Sequence, residues 1–355
     1  MKRHWKLFGF LAVCAMLMVP LGALADDISP GTWTVFASPT SLTTATIHKT
    51  VTVSAGTPTT TQTDIFFLSD TTGSMGGTIG TVQANAAAIL AATAGLGNVQ
   101  WAVGEYRDVG DAFVYRLDQA MTANQAAVQA GLNAWVASGG GDFPEANLYG
   151  IQQATTAASG WRAGSAQIMV QFGDAPGHDP SGPTGVTLAQ ATAALVGPPL
   201  TKLIAVDVGA KNSTGQETVM VNATGGQYLD HPAQADLVAA VLAAITTSLS
   251  EYHTVALEIA GLPAGITPFF STTPASYTGD FTRDIERLFE FDVTLVGCCR
   301  AFERDFDFVI NALVDGAIVA TEFDHWTCIP VPPTVYLMAT GLLGLIPLRR
   351  RMKRT

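Results

Sequence analysis

Apolar and polar positions change their period along this chain. Between Ile65 and Ser250, short apolar runs alternate with stretches of helical spacing. Ile65–Leu68 is four consecutive apolar residues, the pattern of a strand buried on both faces of a parallel sheet. Val99, Trp101 and Val103 mark a second strand, Phe113–Leu117 a third, and Ile168–Phe172 and Leu203–Val208 two more. An Ala-rich stretch with helical spacing follows Ser74, and Val128, Leu132 and Trp135 fall on one helix face. Leu148 and Ile151 belong to a further helix, and Leu237, Val238, Val241, Leu242 and Ile245 to a last one. Strands separated by helices predict an α/β fold, a doubly wound and mostly parallel sheet covered on both faces.

After Tyr252 the period becomes two. Val255, Leu257 and Ile259 alternate with other residues, as do Phe289 to Leu295, then Phe306, Phe308 and Ile310, then Ile318 and Ala320. This predicts an antiparallel β-sandwich. An earlier alternation, Ala45, Ile47, Val51 and Val53, reads as one long strand, and the Thr/Pro stretch Gly56–Thr63 as a linker. One strand is not a domain. It is expected to complete the sandwich, with the α/β unit inserted between its pieces, or else to sit on the α/β sheet edge. The expected organisation is a leader (1–25), a strand segment and linker (26–62), the α/β domain (63–250), the sandwich (251–328) and a C-terminal segment (329–355).

The ends change the charge. Met1–Ala25 has Lys2, Arg3 and Lys6, an apolar middle and Ala23-Leu24-Ala25, which reads as a secretory signal peptide. The C-terminal segment has Val331-Pro332-Pro333, an apolar run Val335–Leu348 and a basic tail, Arg349 to Arg354. That run is shorter than the roughly 20 residues of a spanning helix. The whole chain carries 18 basic and 29 acidic residues. Both ends together hold eight Lys/Arg and no acid, so the body has 10 basic against 29 acidic residues, a net of −19. So acidic a body excludes nucleic acid and anionic lipid as partners. Cys298, Cys299 and Cys328 remain after export, where one of the adjacent pair could bond Cys328. A loop of about 30 residues closed in that way is worth roughly 3.5 kcal/mol. Without C-x-x-C spacing, zinc and redox readings are poor.

Candidate chemistry lies at the ends of the apolar strands. Asp70-x-Thr72-x-Ser74 follows the first strand and puts one carboxylate and two hydroxyls on one turn. Hard oxygen donors suit Mg²⁺ or Ca²⁺, with Mn²⁺ as a further candidate, better than Zn²⁺ or copper. Gly139-Gly140-Gly141-Asp142-Phe143-Pro144-Glu145 precedes a helix, and Gly173-Asp174 ends another apolar strand. Glu105 and Asp108 close the second strand and stand either as surface charge or as part of the same region.

In this order and spacing, the three stretches resemble the metal-ion-dependent adhesion site of von Willebrand factor type A (vWA) domains, usually D-x-S-x-S, with Thr72 keeping the hydroxyl. Asp142-x-Pro144-Glu145 resembles the integrin β variant. The resemblance implies Asp70, Thr72, Ser74, Glu145 and Asp174 as metal ligands, and Asp108, Asp142 and the Pro144 carbonyl as a second metal site. The family's Asn two residues before Asp142 is Gly140 here, and Met75-Gly76-Gly77-Thr78 lacks the carboxylates of a third site. The C-terminal segment resembles a PEP-CTERM sorting signal of Gram-negative bacteria, without the Val-Pro-Glu-Pro core; a plain membrane anchor is the alternative. These resemblances imply an exported cell-surface or matrix protein. Its partner would be a protein or polysaccharide offering a carboxylate to the metal. A structural matrix protein, whose metal only stabilises the fold, is the alternative.

Other chemistries find little support. A D-x-D phosphatase needs an acid at Thr72, and a phosphate-binding loop needs a Lys that Thr71–Thr81 lacks. His178 and Asp179 read as a polar loop pair, and His48, His231, His253 and His325 show no metal spacing. No general base can be placed beside a metal-bound water, so the expectation is a non-enzyme.

Overall fold

The computed structural model describes residues 26–37, 43–56, 62–262, 270–297 and 305–328. The leader, the C-terminal segment, Cys298, Cys299 and the side chain of Cys328 lie outside the described residues, and the expected disulfide with them.

Three strands come first: β1 (Asp27–Ser29), β2 (Thr34–Ala37) and β3 (Thr43–Val53). The alternating unit begins with β4 (Gln62–Asp70), α1 (Gly76–Ala94), β5 (Asn98–Tyr106), β6 (Tyr115–Thr122), α2 (Gln125–Asn133) and α3 (Asn147–Ala154). It continues with β7 (Ala166–Gly173), α4 (Leu188–Val196), β8 (Thr201–Asp207), α5 (Gln216–Thr224), β9 (Gln227–Asp230) and α6 (Leu237–Ser250). The last part is β10 (Glu251–Ala260), β11 (Phe270–Thr273), β12 (Ser276–Thr282), β13 (Arg287–Gly297), β14 (Phe306–Val314) and β15 (Ala317–Cys328).

The α/β sheet has the order β6-β5-β4-β7-β8-β9, and only β6 runs antiparallel to its neighbour. β4 is central and buried from Thr63 to Asp70, as its apolar run predicts. Alternation along it feeds two cores. Ile65 and Phe67 pack with α1, α2 and α6, while Phe66 and Leu68 pack with α3, α4 and α5. At the other end of β4, buried Asp64 accepts from Arg162 N (2.7 Å), Arg162 Nε (2.7 Å) and Ser165 Oγ (2.9 Å).

Two differences from expectation have simple causes. The third strand begins two residues later than Phe113 and runs on to Thr122, because its half-exposed edge position needs no apolar run. α4, α5 and β9 go beyond the expected elements: α4 buries only Ala191 and Leu195, and α5 buries the polar Gln216 and Glu217 beside Met220 and Val221, so neither shows a clear apolar stripe.

The remaining strands form two further sheets, β1-β3-β13-β11 and β12-β10-β14-β15-β2. β3 pairs antiparallel with β13 over eleven positions, from Thr43↔Gly297 to Val53↔Arg287, and not with the α/β sheet. The pairing of β15 with β2 is parallel, against the all-antiparallel expectation. Val51, Val53, Phe289, Phe291 and Val293 of one sheet share a core with Tyr252, Val255, Phe308 and Ile310 of the other.

The α/β unit joins these sheets without a linker on one side, since α6 ends at Ser250 and β10 starts at Glu251. The seam is pinned by Asp315 in the two-residue turn Asp315-Gly316 between β14 and β15, where both residues have positive φ (48° and 81°). Asp-Gly is the pair such hairpin turns favour. The Asp315 carboxylate accepts from His253 N and Thr254 N, each at 2.8 Å, and pairs with Lys202 Nζ at 2.9 Å. Burial pushes its pKa up, but the Lys202 charge and these hydrogen bonds outweigh burial, and the net shift is downward. A lowered carboxylate stabilises the fold above its unfolded value of about 3.9 and loses that contribution as pH falls through the folded value. Asp315→Ala strands a buried ammonium. It is expected to cost about 3 kcal/mol at pH 7 and to flatten the acid limb of stability, read by urea unfolding at pH 7 and pH 3.

Candidate functional site

Parallel strands present their carboxyl ends together, so the loops after β4, β5, β7 and β8 converge above the sheet. Asp70 is the last residue of β4 and is wholly buried. Its Oδ1 accepts from Thr72 N (2.8 Å) and Thr72 Oγ1 (2.7 Å), while Oδ2 is buried with no hydrogen-bond partner. Thr72 Oγ1 lies 3.5 Å from Ser74 Oγ, and Ser74 is exposed.

The glycine loop is held against this turn. Gly73 N donates to Gly139 O (3.0 Å) and Ser138 N to Thr71 O (3.0 Å). Gly140 has φ +65°, and a Cβ there would stand 2.8 Å from Thr72 Cβ and 3.1 Å from Glu145 Oε1. Only a residue without a side chain lets the loop bring Glu145 to Thr72. Glu145 is 4% exposed, and its Oε2 is buried without a partner. Its backbone is fixed by Glu145 N donating to Pro176 O and His178 N donating to Glu145 O, both 2.9 Å. Asp174, after β7, is half-buried with Oδ1 unpartnered, and Ala210 N donates to its carbonyl at 2.7 Å.

Two of these carboxyls, Asp70 and Glu145, are raised. Burial pushes Asp70 up to about 7 against the hydrogen bonds from Thr72, with Asp174 adding to the rise and Lys211 opposing it. Burial pushes Glu145 up to about 8, reinforced by Asp70, Asp108, Asp111 and Asp174. Beside them, Thr72, Ser74, Gly139 to Phe143 and Glu145 line a hollow of about 210 Å³. A second hollow of about 350 Å³ lies beyond Ser74, lined by Asp174, Thr78, His231 and Gln234.

A domain of this design is recognisable outright. Residues 64–228 match the family model of the von Willebrand factor A domain. Its α/β unit has a vWA-like fold. No curated protein matches the chain. Among solved structures, it is similar to a von Willebrand factor type A protein from Catenulispora acidiphila at 14% identity and TM-score 0.46, over 86% of this chain and 75% of that one. It is similar to the pilus adhesin SpaC from Lactobacillus rhamnosus GG at 15% identity and TM-score 0.41, over 79% of this chain. This chain spans 45% of that adhesin's length. A third likeness is the ArnB paralog VWA2 from Sulfolobus acidocaldarius, at 11% identity and TM-score 0.39, over 87% and 77% of the two chains.

Of the residues expected on the vWA domain, Asp70, Thr72, Ser74, Glu145 and Asp174 all lie at this end of the sheet. Asp108, 9% exposed, sits with Oδ1 3.2 Å from His178 Nε2, though without hydrogen-bond alignment. Asp142 is exposed on the rim beside half-buried Pro144. Among the described residues, no group of three or more His, Cys, Asp and Glu side chains forms a ready metal cage. The donors at this end are carboxylates mixed with hydroxyls. Their buried, unpartnered oxygens on Asp70, Glu145 and Asp174 suit a hard divalent cation.

Glu105 is not surface charge. It is fully buried, accepts from Thr71 Oγ1 at 2.6 Å and pairs with Arg116. Sequence reading missed Asp111, whose Oδ2 accepts from Gly140 N at 2.9 Å and so holds the glycine loop in place. It also missed Lys211 and Glu217, a fully buried pair 3.3 Å apart whose ammonium opposes the rise at Asp70. Neither carries a motif: Lys211 lies in an irregular loop and Glu217 on a helix without an apolar stripe. Gly140→Ala places a methyl against Thr72 at a left-handed φ. It is expected to cost about 1–3 kcal/mol in chemical unfolding, with Gly141→Ala, which meets nothing within 4 Å, near neutral.

Proposed function

We propose that this vWA domain binds a partner through a divalent cation, Mg²⁺ or Ca²⁺ (Mn²⁺ next), held by Asp70, Thr72, Ser74, Glu145 and Asp174. The supporting observation is the set of buried carboxylate oxygens without partners, gathered beside exposed Ser74 and an open hollow. Buried like charges with no compensation are costly, and a cation removes that cost. When bound, the cation would supply a Lewis-acid coordination position that a carboxylate of a protein or extracellular polysaccharide can fill. The protein side orients that exchange: Thr72 fixes Asp70, and the glycine loop sets Glu145. Asp108, Asp142 and the Pro144 carbonyl are proposed as a neighbouring second cation site.

The remaining readings rest on other features of the sequence: the sheets on the period-two pattern, export on the leader, the tail on its own resemblance and the lack of enzyme activity on the want of a general base. The two further sheets are read as one β-sandwich base. The protein is read as non-enzymatic, exported, and placed at the surface or in the matrix of a Gram-negative cell, with a PEP-CTERM-like tail as its one membrane-directed segment. No helix among the described residues is long and apolar enough to cross a membrane. The burial of Asp70 and Glu145, 0% and 4% exposed, favours one alternative, a cation that stabilises the fold without reaching a partner.

Calorimetric titration of Mg²⁺ and Ca²⁺ into the purified protein is expected to give binding that Asp70→Ala abolishes. At 100 times Kd the cation should add about 2.7 kcal/mol to wild-type stability and nothing to the variant. Equal binding in both would sink the reading. Chelator release of a captured acidic partner separates adhesion from mere stabilisation, which would lower only the melting temperature.

A further inference from the structure

The inward-facing row of β3 is Ala45, Ile47, Lys49, Val51 and Val53, so a lysine stands where the alternation calls for an apolar residue. Lys49 is completely buried. Opposite it, the inward row of β15 carries Glu322 and Asp324, each 2% exposed, followed by buried Trp326. Lys49 Nζ lies 2.5 Å from Glu322 Oε1 and 3.8 Å from Asp324 Oδ2, and donates to Pro30 O at 2.9 Å. Trp33 N donates to Asp324 Oδ1 at 2.5 Å. Both Glu322 oxygens and Asp324 Oδ2 lack a hydrogen-bond partner of good geometry. The cross-strand neighbours of the three residues are Phe291, Ile310 and Phe308, all wholly buried, so the cluster is dry.

One ammonium faces two buried carboxyls, so one proton stays on the pair. Burial pushes both carboxyls up, Glu322 to about 7. An amine, a carboxylic acid, a second carboxyl to move protons and a backbone N–H on the acid's other oxygen are the parts of an acyl condensation. Holding them in one water-free site supplies the proximity such a reaction needs.

We propose that Lys49 and Asp324 become joined by a side-chain amide bond, with Glu322 as the proton carrier. Glu322 passes its acid proton to the Asp324 carboxylate and takes one ammonium proton from Lys49. The Nζ lone pair then adds to Cγ of the Asp324 acid, and the carbonyl electrons move onto Oδ1, where the Trp33 N–H stabilises the charge. Glu322 returns its proton to the Oδ2 hydroxyl and takes the second one from Nζ. The Cγ–Oδ2 bond breaks, and Oδ2 leaves as water. The products are one secondary amide, one water and Glu322 in its acid form, with no oxidant or cofactor required. The bond ties β3, which precedes the vWA domain, to β15, which follows it.

Mass spectrometry of the purified full chain under reducing conditions tests this without any variant. The expected result is a mass one water below that of the sequence present, with a branched proteolytic peptide joining Lys49 to Asp324. Lys49→Arg and Asp324→Ala should show full mass and no branched peptide. Glu322→Gln, with its fold checked by circular dichroism, should form the bond about a hundredfold more slowly or not at all, which a structural role alone would not produce. Folded wild-type protein at full mass, unchanged on incubation, overturns the proposal. A branch at Glu322 in place of Asp324 overturns the assignment of the two roles.

Discussion

Negative charge buried faster than it is neutralised is the constraint from which the head of this molecule takes its character. The comparison of two aspartates makes it concrete. Asp70 ends β4 and Asp207 ends β8, equivalent places on two parallel strands of one sheet with β7 between them. Asp207 accepts from Gly209 N, Lys211 N, Asn212 N and Tyr228 Oη, and its pKa falls although burial opposes the shift. Asp70 has Thr72 alone and is raised to about 7. The fold can saturate a strand-end carboxylate with donors, and it does so at Asp207. At Asp70, Glu145 and Asp174 it leaves oxygens bare at the same end of the sheet. That difference separates a saturated structural carboxylate from the unsaturated ones on which the proposed cation site rests.

Supporting residues hold this imbalance in place. Asp111 anchors Gly140, Glu105 ties Thr71 to Arg116, and Lys211 stands behind Asp70 while pairing with Glu217. Lys211 tempers the field without reaching the bare oxygens. The cost of assembling the cluster is spread over the β4, β5, β7 and β8 loops. No single loop need be strained to hold it.

Much of this was legible in the sequence, and the exceptions have physical causes. Buried parallel strands such as Ile65–Leu68 announce themselves because both faces need apolar residues. That Asp70, Thr72, Ser74, Glu145 and Asp174 share one end of the sheet was legible because each ends a strand or opens a helix, and the vWA resemblance picked them out as a set. Asp111, Lys211 and Glu217 could not, since what they do depends on contacts made only in the folded chain, Asp111 with Gly140 and Lys211 with Glu217 beside Asp70. α5 hid for a related reason: it buries a charged pair where an apolar stripe would have shown. Lys49, Glu322 and Asp324 were readable in principle as charges in the inward phase of a period-two pattern. The neighbouring Val51, Ile318 and Ala320 drew the reading toward apolar alternation alone.

The insertion of the vWA domain gives the base a mechanical problem. The chain leaves one sheet at β3 and returns to the other at β10. Any pull on the ligand proposed above for that domain would therefore load the two sheets separately. Within each sheet, ladders of hydrogen bonds resist, as in the eleven-position pairing of β3 with β13. Between the sheets the described contacts are chiefly apolar, apart from the Asp26–Arg283 pair, the hydrogen bonds from Tyr277 Oη to Glu290 O and from Arg287 Nε to Thr282 O, and the Lys49 cluster. Apolar packing is non-directional and yields to separation more easily than a covalent link. An amide between Lys49 and Asp324 would cross that divide, tying the strand that enters the head to the last strand of the opposite sheet. The position of the buried lysine, on β3 just before the insertion, is where such a tie carries the most load.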